Sequence, residues 1–149
     1  MHEKKILPPT YFIISLLLSV ALHFIFPLVK FIAYPWILAG LIFLAAGGLM
    51  NLFADMDFKK ARTTVKPYEE PVELMTKGVF NFTRNPMYLG MSITLIGEAV
   101  LLGSLTPFII PIVFFVLMDK MFIRSEEAML LKTFGERYMS YKSKVRRWL

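Results

Sequence analysis

NPMYLGMSITLIGEAVLLGSLTPFIIPIVFFVLM, residues 85–118, decides the architecture of this chain. Its 34 residues carry a single charge, Glu98, and are broken in their second half by Gly103-Ser104-Leu105-Thr106-Pro107. Two complete helical spans need roughly 40 residues. The stretch is therefore either a tight hairpin that borrows flanking residues as far as Ile123 or a partly re-entrant pair. The hairpin is preferred, because Met121-Phe122-Ile123 prolong the apolar run and Lys120 can snorkel to the interface. That reading gives spans over 86–103 and 106–123, with Asp119 expected to face protein.

Two more apolar runs precede it. Residues 10–29 are uncharged and rich in Leu, Ile and Phe, long enough to cross a bilayer at about 20 residues. Lys30 separates them from residues 31–54, where Tyr34, Pro35 and Trp36 suit an interfacial start. Gly47-Gly48 would let another helix approach closely. The expected fold is thus an all-α membrane protein of about four transmembrane helices, with one domain over residues 1–149. The bulk composition agrees: 56% hydrophobic residues and a mean hydropathy of +0.58 call for a bilayer as solvent.

Composition also removes whole classes of chemistry. With no Cys there is no thiolate nucleophile, and His2 and His23 are too few for a His-rich metal site. The net charge of +6 comes without any recognised nucleic-acid motif. It reads instead as contact with membrane lipids. The first apolar run lacks a small-residue cleavage site and is expected to be a retained anchor. With four spans, every Lys and Arg except Lys30 falls on one side, which the positive-inside rule places in the cytoplasm together with both termini.

That side collects the polar segments. Residues 55–84 are charged, contain Pro67 and Pro71, and must lie in water or at the interface, with a short helix possible over residues 69–77. Residues 124–149 read as an amphipathic helix. Glu127, Leu130, Leu131, Phe134, Tyr138, Tyr141 and Val145 follow steps of three and four along one face.

Two constellations carry chemistry. In the first, Asn85 and Pro86 form a strong helix start, with Asn as cap and Pro at the first helical position. Arg84 and Tyr88 flank it, and the exposed amides there could receive a carboxylate or ribose oxygens. The everyday alternative is a well-capped span with an interfacial Arg and Tyr. In the second, Glu126 and Glu127 follow the last span and could satisfy a cation or sugar hydroxyls. Phe134, Tyr138 and Tyr141 offer flat surfaces to a cation or purine. The alternative is an interfacial helix with solvated acids. Glu98, deep in an apolar run, either lines a tunnel or hydrogen-bonds to Asn51, His23 or a nearby Ser.

Taken together and in this order, the two constellations resemble the isoprenylcysteine carboxyl methyltransferase and phospholipid methyltransferase superfamily of membrane enzymes. The resemblance runs over residues 63–147. It rests on Pro71, Leu74, Thr76, Gly78 and Phe80, then Arg84-Asn85-Pro86 with Tyr88 and Gly90. Glu126-Glu127, Leu130, Phe134-Gly135, Tyr138 and Tyr141 complete it.

The resemblance implies an S-adenosyl-L-methionine-dependent enzyme whose cofactor segments are 71–90 and 124–147, roofed by the C-terminal helix. The matching cofactor contacts are Glu73, Leu74, Met75, Phe80, Asn85, Pro86, Met87, Tyr88 and Glu126, with Glu127 the adjacent acid of the pair. The implied acceptor is a lipophilic or prenylated molecule, for which Arg84 and Arg124 are the candidate carboxylate holders. Two departures bear on it. Many relatives have His where Asn85 stands, and prenylcysteine-methylating members have Arg where this chain has Phe122. The resemblance is nearest to isoprenylcysteine carboxyl O-methylation. A phospholipid or small-molecule amine or thiol methyltransferase, an NADPH-dependent reductase of the sterol type and a non-catalytic scaffold are the competing readings.

Overall fold

The computed structural model describes residues 6–63, 69 and 71–149, and among these all regular structure is helical. The basic residues 1–5, Pro67 and Glu70 lie outside the described residues. Helix α1 runs Pro8–Ile25, opened by proline at its first positions, where a missing N–H costs nothing. Helix α2, Ala39–Ala61, is entered through a 3₁₀ turn at Trp36–Leu38. Helix α3 is Pro86–Leu102. Helix α4, Ile109–Met118, follows a second 3₁₀ turn at Thr106–Phe108 and passes through a π-helical turn, Asp119–Ile123, into α5, Arg124–Phe134. Helix α6, Glu136–Lys144, ends the chain's regular structure.

Three helical stretches are long and apolar enough to cross a membrane: Pro8–Ile25, Trp36–Ala61 and Thr106–Phe134, with Pro86–Leu102 a shorter apolar helix. The molecule is an all-α membrane protein. Its outer surface says the same, since Leu17, Ile42 and Ile112 are 67%, 72% and 65% exposed, an arrangement suited to lipid and costly in water.

Helix α3 is the centre of the bundle and touches α1, α2 and α4. Its contact with α2 is made backbone to backbone. A Cβ placed on Gly47 would lie 2.5 Å from the Gly90 carbonyl oxygen, and one on Gly40 2.5 Å from that of Gly97. Only glycine permits this approach, which lets two helices associate by close packing where lipid supplies no hydrophobic drive. Gly48, by contrast, meets nothing within 4 Å. On its other side α3 contributes Tyr88, Met91 and Leu95 to the main core, with Ile110, Phe114, Met118, Phe122 and Ile123 from α4 and the π turn.

The sequence-based boundaries shift in four places. The first helix ends at Ile25 rather than at residue 29, and Pro27 follows its cap. The second begins at Trp36 and continues past Asp55 to Ala61. Asp55 and Lys59 pair one turn apart, and Lys59 and Lys60 suit the negative end of the helix dipole, so these charges extend the helix. The short helix expected over 69–77 is not formed at 71–77. Thr63 Oγ1 accepts from the Val72 and Glu73 amides instead, and a 3₁₀ turn follows at Gly78–Asn81. The single C-terminal amphipathic helix is broken at Gly135, whose φ of 50° and ψ of −121° leave helical space.

The hairpin between α3 and α4 forms as a tight turn. The Gly103 carbonyl accepts from the amides of Phe31 and Ile32, and the Leu105 amide donates to Val29. His23 Nδ1 lies 2.8 Å from Ser104 Oγ, and Thr106 Oγ1 donates to the Phe26 carbonyl. This far end of the bundle is laced shut. The opposite end holds the start of α1, the end of α2, the start of α3 and the beginning of α5.

Candidate functional site

At that opposite end an open cleft is lined by residues from four helices and the 3₁₀ turn. Leu7, Pro8 and Pro9 come from the start of α1, Phe58 from the end of α2, and Phe80 from the 3₁₀ turn. Arg84, Asn85, Pro86, Met87, Tyr88 and Met91 come from the start of α3, and Glu126 from α5. The wall is apolar, and Arg84, Asn85, Tyr88 and Glu126 bring polar groups into it. An apolar pocket with a few convergent polar groups is the usual form of a small-molecule site.

The polar groups are held by defined contacts. The Tyr88 hydroxyl donates to Glu126 Oε1 at 2.5 Å, joining the two motifs of the sequence across the cleft. Asn85 is buried and does not cap α3. Its Nδ2 donates instead to the Arg147 carbonyl at 3.0 Å, a correction to the capping role expected from Asn-Pro. Asn85 makes no side-chain cap bond, and the start of α3 carries the partial positive charge of a helix N-terminus.

Glu127 turns away from Glu126 and into an ionic cluster. Arg84 Nη2 lies 3.1 Å from Glu127 Oε1, and Arg147 grips the same carboxylate through Nε at 3.0 Å and Nη2 at 2.6 Å. Arg147 Nη1 reaches Asp119 Oδ1 at 3.1 Å, and Arg124 Nε meets Asp119 Oδ2 at 3.1 Å. Asp119 does face protein, as its place in the last apolar run demanded. The hydrogen bonds to Glu127 hold the Arg147 guanidinium even more firmly charged than usual. Arg84 Nη1 donates to the Tyr138 hydroxyl, while Arg84 Nε is buried without a hydrogen-bond partner.

Seven of the sequence-derived site residues thus line one cleft: Phe80, Arg84, Asn85, Pro86, Met87, Tyr88 and Glu126. Glu73, Leu74, Met75, Glu127 and Arg124 do not border it. Leu74 packs with Tyr138 and Tyr141 in a second core, Glu73 is exposed, and Arg124 is mostly exposed beside Asp119.

The C-terminal aromatics are structural. Tyr138 and Tyr141 are buried, and Tyr141 donates to the Phe80 carbonyl at 2.7 Å. Burial pushes both phenols up, which keeps them protonated, Tyr141 as a donor to Phe80 and Tyr138 as an acceptor from Arg84. Among the described residues none beyond Glu126 lines the cleft, and Tyr138 and Tyr141 of α6 pack behind its wall against Leu74 and the Phe80 carbonyl.

Leu7 to Pro9, Phe58 and Met91 were not anticipated. The double proline at the start of α1 was the one sequence signal that a rigid wall begins there. Among the described residues no group of three or more His, Asp or Glu side chains could hold a metal.

A family model, "Phospholipid methyltransferase", matches residues 35–137, well over half of the chain. The chain belongs to the phospholipid methyltransferase family. The match takes in α2, α3, α4, α5 and the polar segment, and so every cleft residue except those at the start of α1.

This family member is also 36% identical over 75 residues to the protein-S-isoprenylcysteine O-methyltransferase of Schizosaccharomyces pombe, covering 48% of the chain but only 30% of that protein. It is 36% identical over 63 residues, 42% of the chain, to the whole of an uncharacterized protein of Haemophilus influenzae. No solved structure matches significantly.

Proposed function

We propose that this phospholipid methyltransferase family member transfers a methyl group from S-adenosyl-L-methionine to a lipophilic acceptor bearing a carboxylate, at the cytosolic face of the membrane. The observation that carries the reading is the convergence of Arg84, Asn85, Tyr88 and Glu126 on one apolar cleft at the end of the bundle. The cleft lies on the side where the Lys and Arg residues gather, which supports the cytosolic assignment and cytoplasmic termini.

The residues suit the methyl donor by their chemistry. Glu126 offers a carboxylate to an ammonium or to ribose hydroxyls, and the positive end of the α3 dipole suits a carboxylate. Phe58 and Phe80, whose rings meet edge to face at 5.2 Å, form an aromatic wall for a flat base. Bound there, the donor would supply a methyl carbon on a sulfonium, whose C–S bond breaks as a C–O bond forms, leaving a neutral thioether.

The chain's own task is alignment and exclusion of water. Arg84 presents a buried, unpartnered Nε and a fixed charge, suited to orienting an acceptor carboxylate. Asn85 cannot act as a base near neutral pH, and a carboxylate is already ionised there and needs none. This favours a carboxylate over a lipid ammonium, and the relation to the fission-yeast protein points the same way. Arg124, held by Asp119 outside the cleft, is the weaker of the two arginine candidates.

The test is incubation of the purified chain with labelled S-adenosylmethionine and three acceptors: a prenylated cysteine carboxylate, a lipid amine and a lipophilic thiol. Transfer to the carboxylate is expected. Transfer to the amine alone would replace the acceptor assignment, and transfer to none would overturn the reading.

A further inference from the structure

Residues 145–149 follow the last helix and return to the cleft-forming turn. The Arg146 carbonyl accepts from the Arg84 amide at 3.0 Å. The Arg147 carbonyl accepts from both Thr83 Oγ1 and Asn85 Nδ2, each at 3.0 Å. Trp148 stacks on Phe115 of α4 with ring centroids 4.1 Å apart, which pins the tail to the bundle. Between these anchors the Arg147 side chain forks onto Glu127 and Asp119.

The consequence falls on Arg84. Its side chain is 8% exposed, and Glu127, at 10%, is its ionic partner. The two parallel bonds from Arg147 fix both oxygens of Glu127, as a planar guanidinium does to a carboxylate. Arg84 is thus held on a carboxylate that is itself held.

We infer that Arg147 is a positioning residue of the cleft, one that fixes Glu127 and through it sets the place of Arg84. The inference rests on the methyl-transfer reading above, and concerns how the acceptor is aligned. Arg147 does not itself line the cleft.

The experiment measures two quantities on the full-length chain in detergent: affinity for S-adenosylhomocysteine, and kcat/KM for a prenylated cysteine carboxylate. Arg147→Gln should leave the affinity within about two-fold while lowering kcat/KM about ten-fold, the scale of a misaligned reactant. In an Arg84→Ala background the same substitution should add almost nothing, because the two act in series.

Arg147→Lys keeps the charge and loses the fork, so it should recover only part of the activity. If Arg147→Gln proves too unstable to purify, this variant alone decides. An equal loss in both backgrounds, an unchanged kcat/KM, or full activity of the Lys variant would overturn the inference. A wild-type chain that binds no S-adenosylhomocysteine and transfers no methyl group would sink the functional reading and this inference together; wild-type transfer with an unaffected Arg147→Gln would sink the inference alone.

Discussion

The two ends of this helical bundle are closed by different means. At the far end, Gly103, Ser104 and Leu105 are tied to Val29, Phe31, Ile32 and His23, by main-chain bonds and one His–Ser pair. At the cleft end, bonds to the Arg146 and Arg147 carbonyls are joined by a cluster of charged side chains from residues 84, 119, 124, 127 and 147. Main-chain bonds satisfy backbone groups wherever a chain turns near lipid, and they ask little of the side chains. Ion pairs demand partners in fixed places, and they leave the neighbouring Tyr88, Asn85 and Glu126 facing an open cleft. The contrast teaches where the proposed chemistry would sit in this fold. One end ties the helices together, and the other holds polar and charged groups around an open cleft.

Substitutions at the two ends should therefore separate stability from activity. The largest effect is expected for Arg84→Ala, which removes the buried cation of the cleft. Methyl transfer to a prenylated carboxylate should fall at least about 100-fold, read by label incorporation. Glu126→Gln comes next. It removes a carboxylate shared with the Tyr88 hydroxyl and should weaken S-adenosylhomocysteine binding about ten-fold, read by titration, with membrane insertion intact. The smallest effect belongs to the far end. Ser104→Ala breaks the bond to His23 and should cost about 1 kcal/mol in denaturant stability while transfer changes less than two-fold. A far-end variant that abolished transfer without unfolding the chain would break the comparison.

The sequence made the bundle readable because hydrophobicity is a long, repeated signal. Four apolar runs appear in the structure as four apolar helices, and the turn at Gly103–Leu105 lies where the hairpin reading placed it. The boundaries were less readable. Asp55 looked like the end of a span, yet a Lys one turn later makes it a helix-extending residue.

At the site, local motifs were visible and their long-range partners were not. Asn85-Pro86 signalled a helix start, but nothing nearby said that Asn85 would turn to the carbonyl of Arg147, 62 residues on. Glu126 and Glu127 looked like equivalents. Adjacent helical positions diverge by about 100°, so one faces the cleft and the other faces Arg84 and Arg147. Spacing could show that a polar pair existed there, but dividing its roles needed the third dimension.

The central claim is that the cleft formed by the starts of α1, α3 and α5 binds a methyl donor. Its most direct test is calorimetric titration of the purified chain with S-adenosylhomocysteine, beside Glu126→Gln and Ser104→Ala. Saturable binding by the wild type and Ser104→Ala, weakened about ten-fold in Glu126→Gln, is the predicted result. No binding by the wild type, or equal affinity in all three, would contradict it.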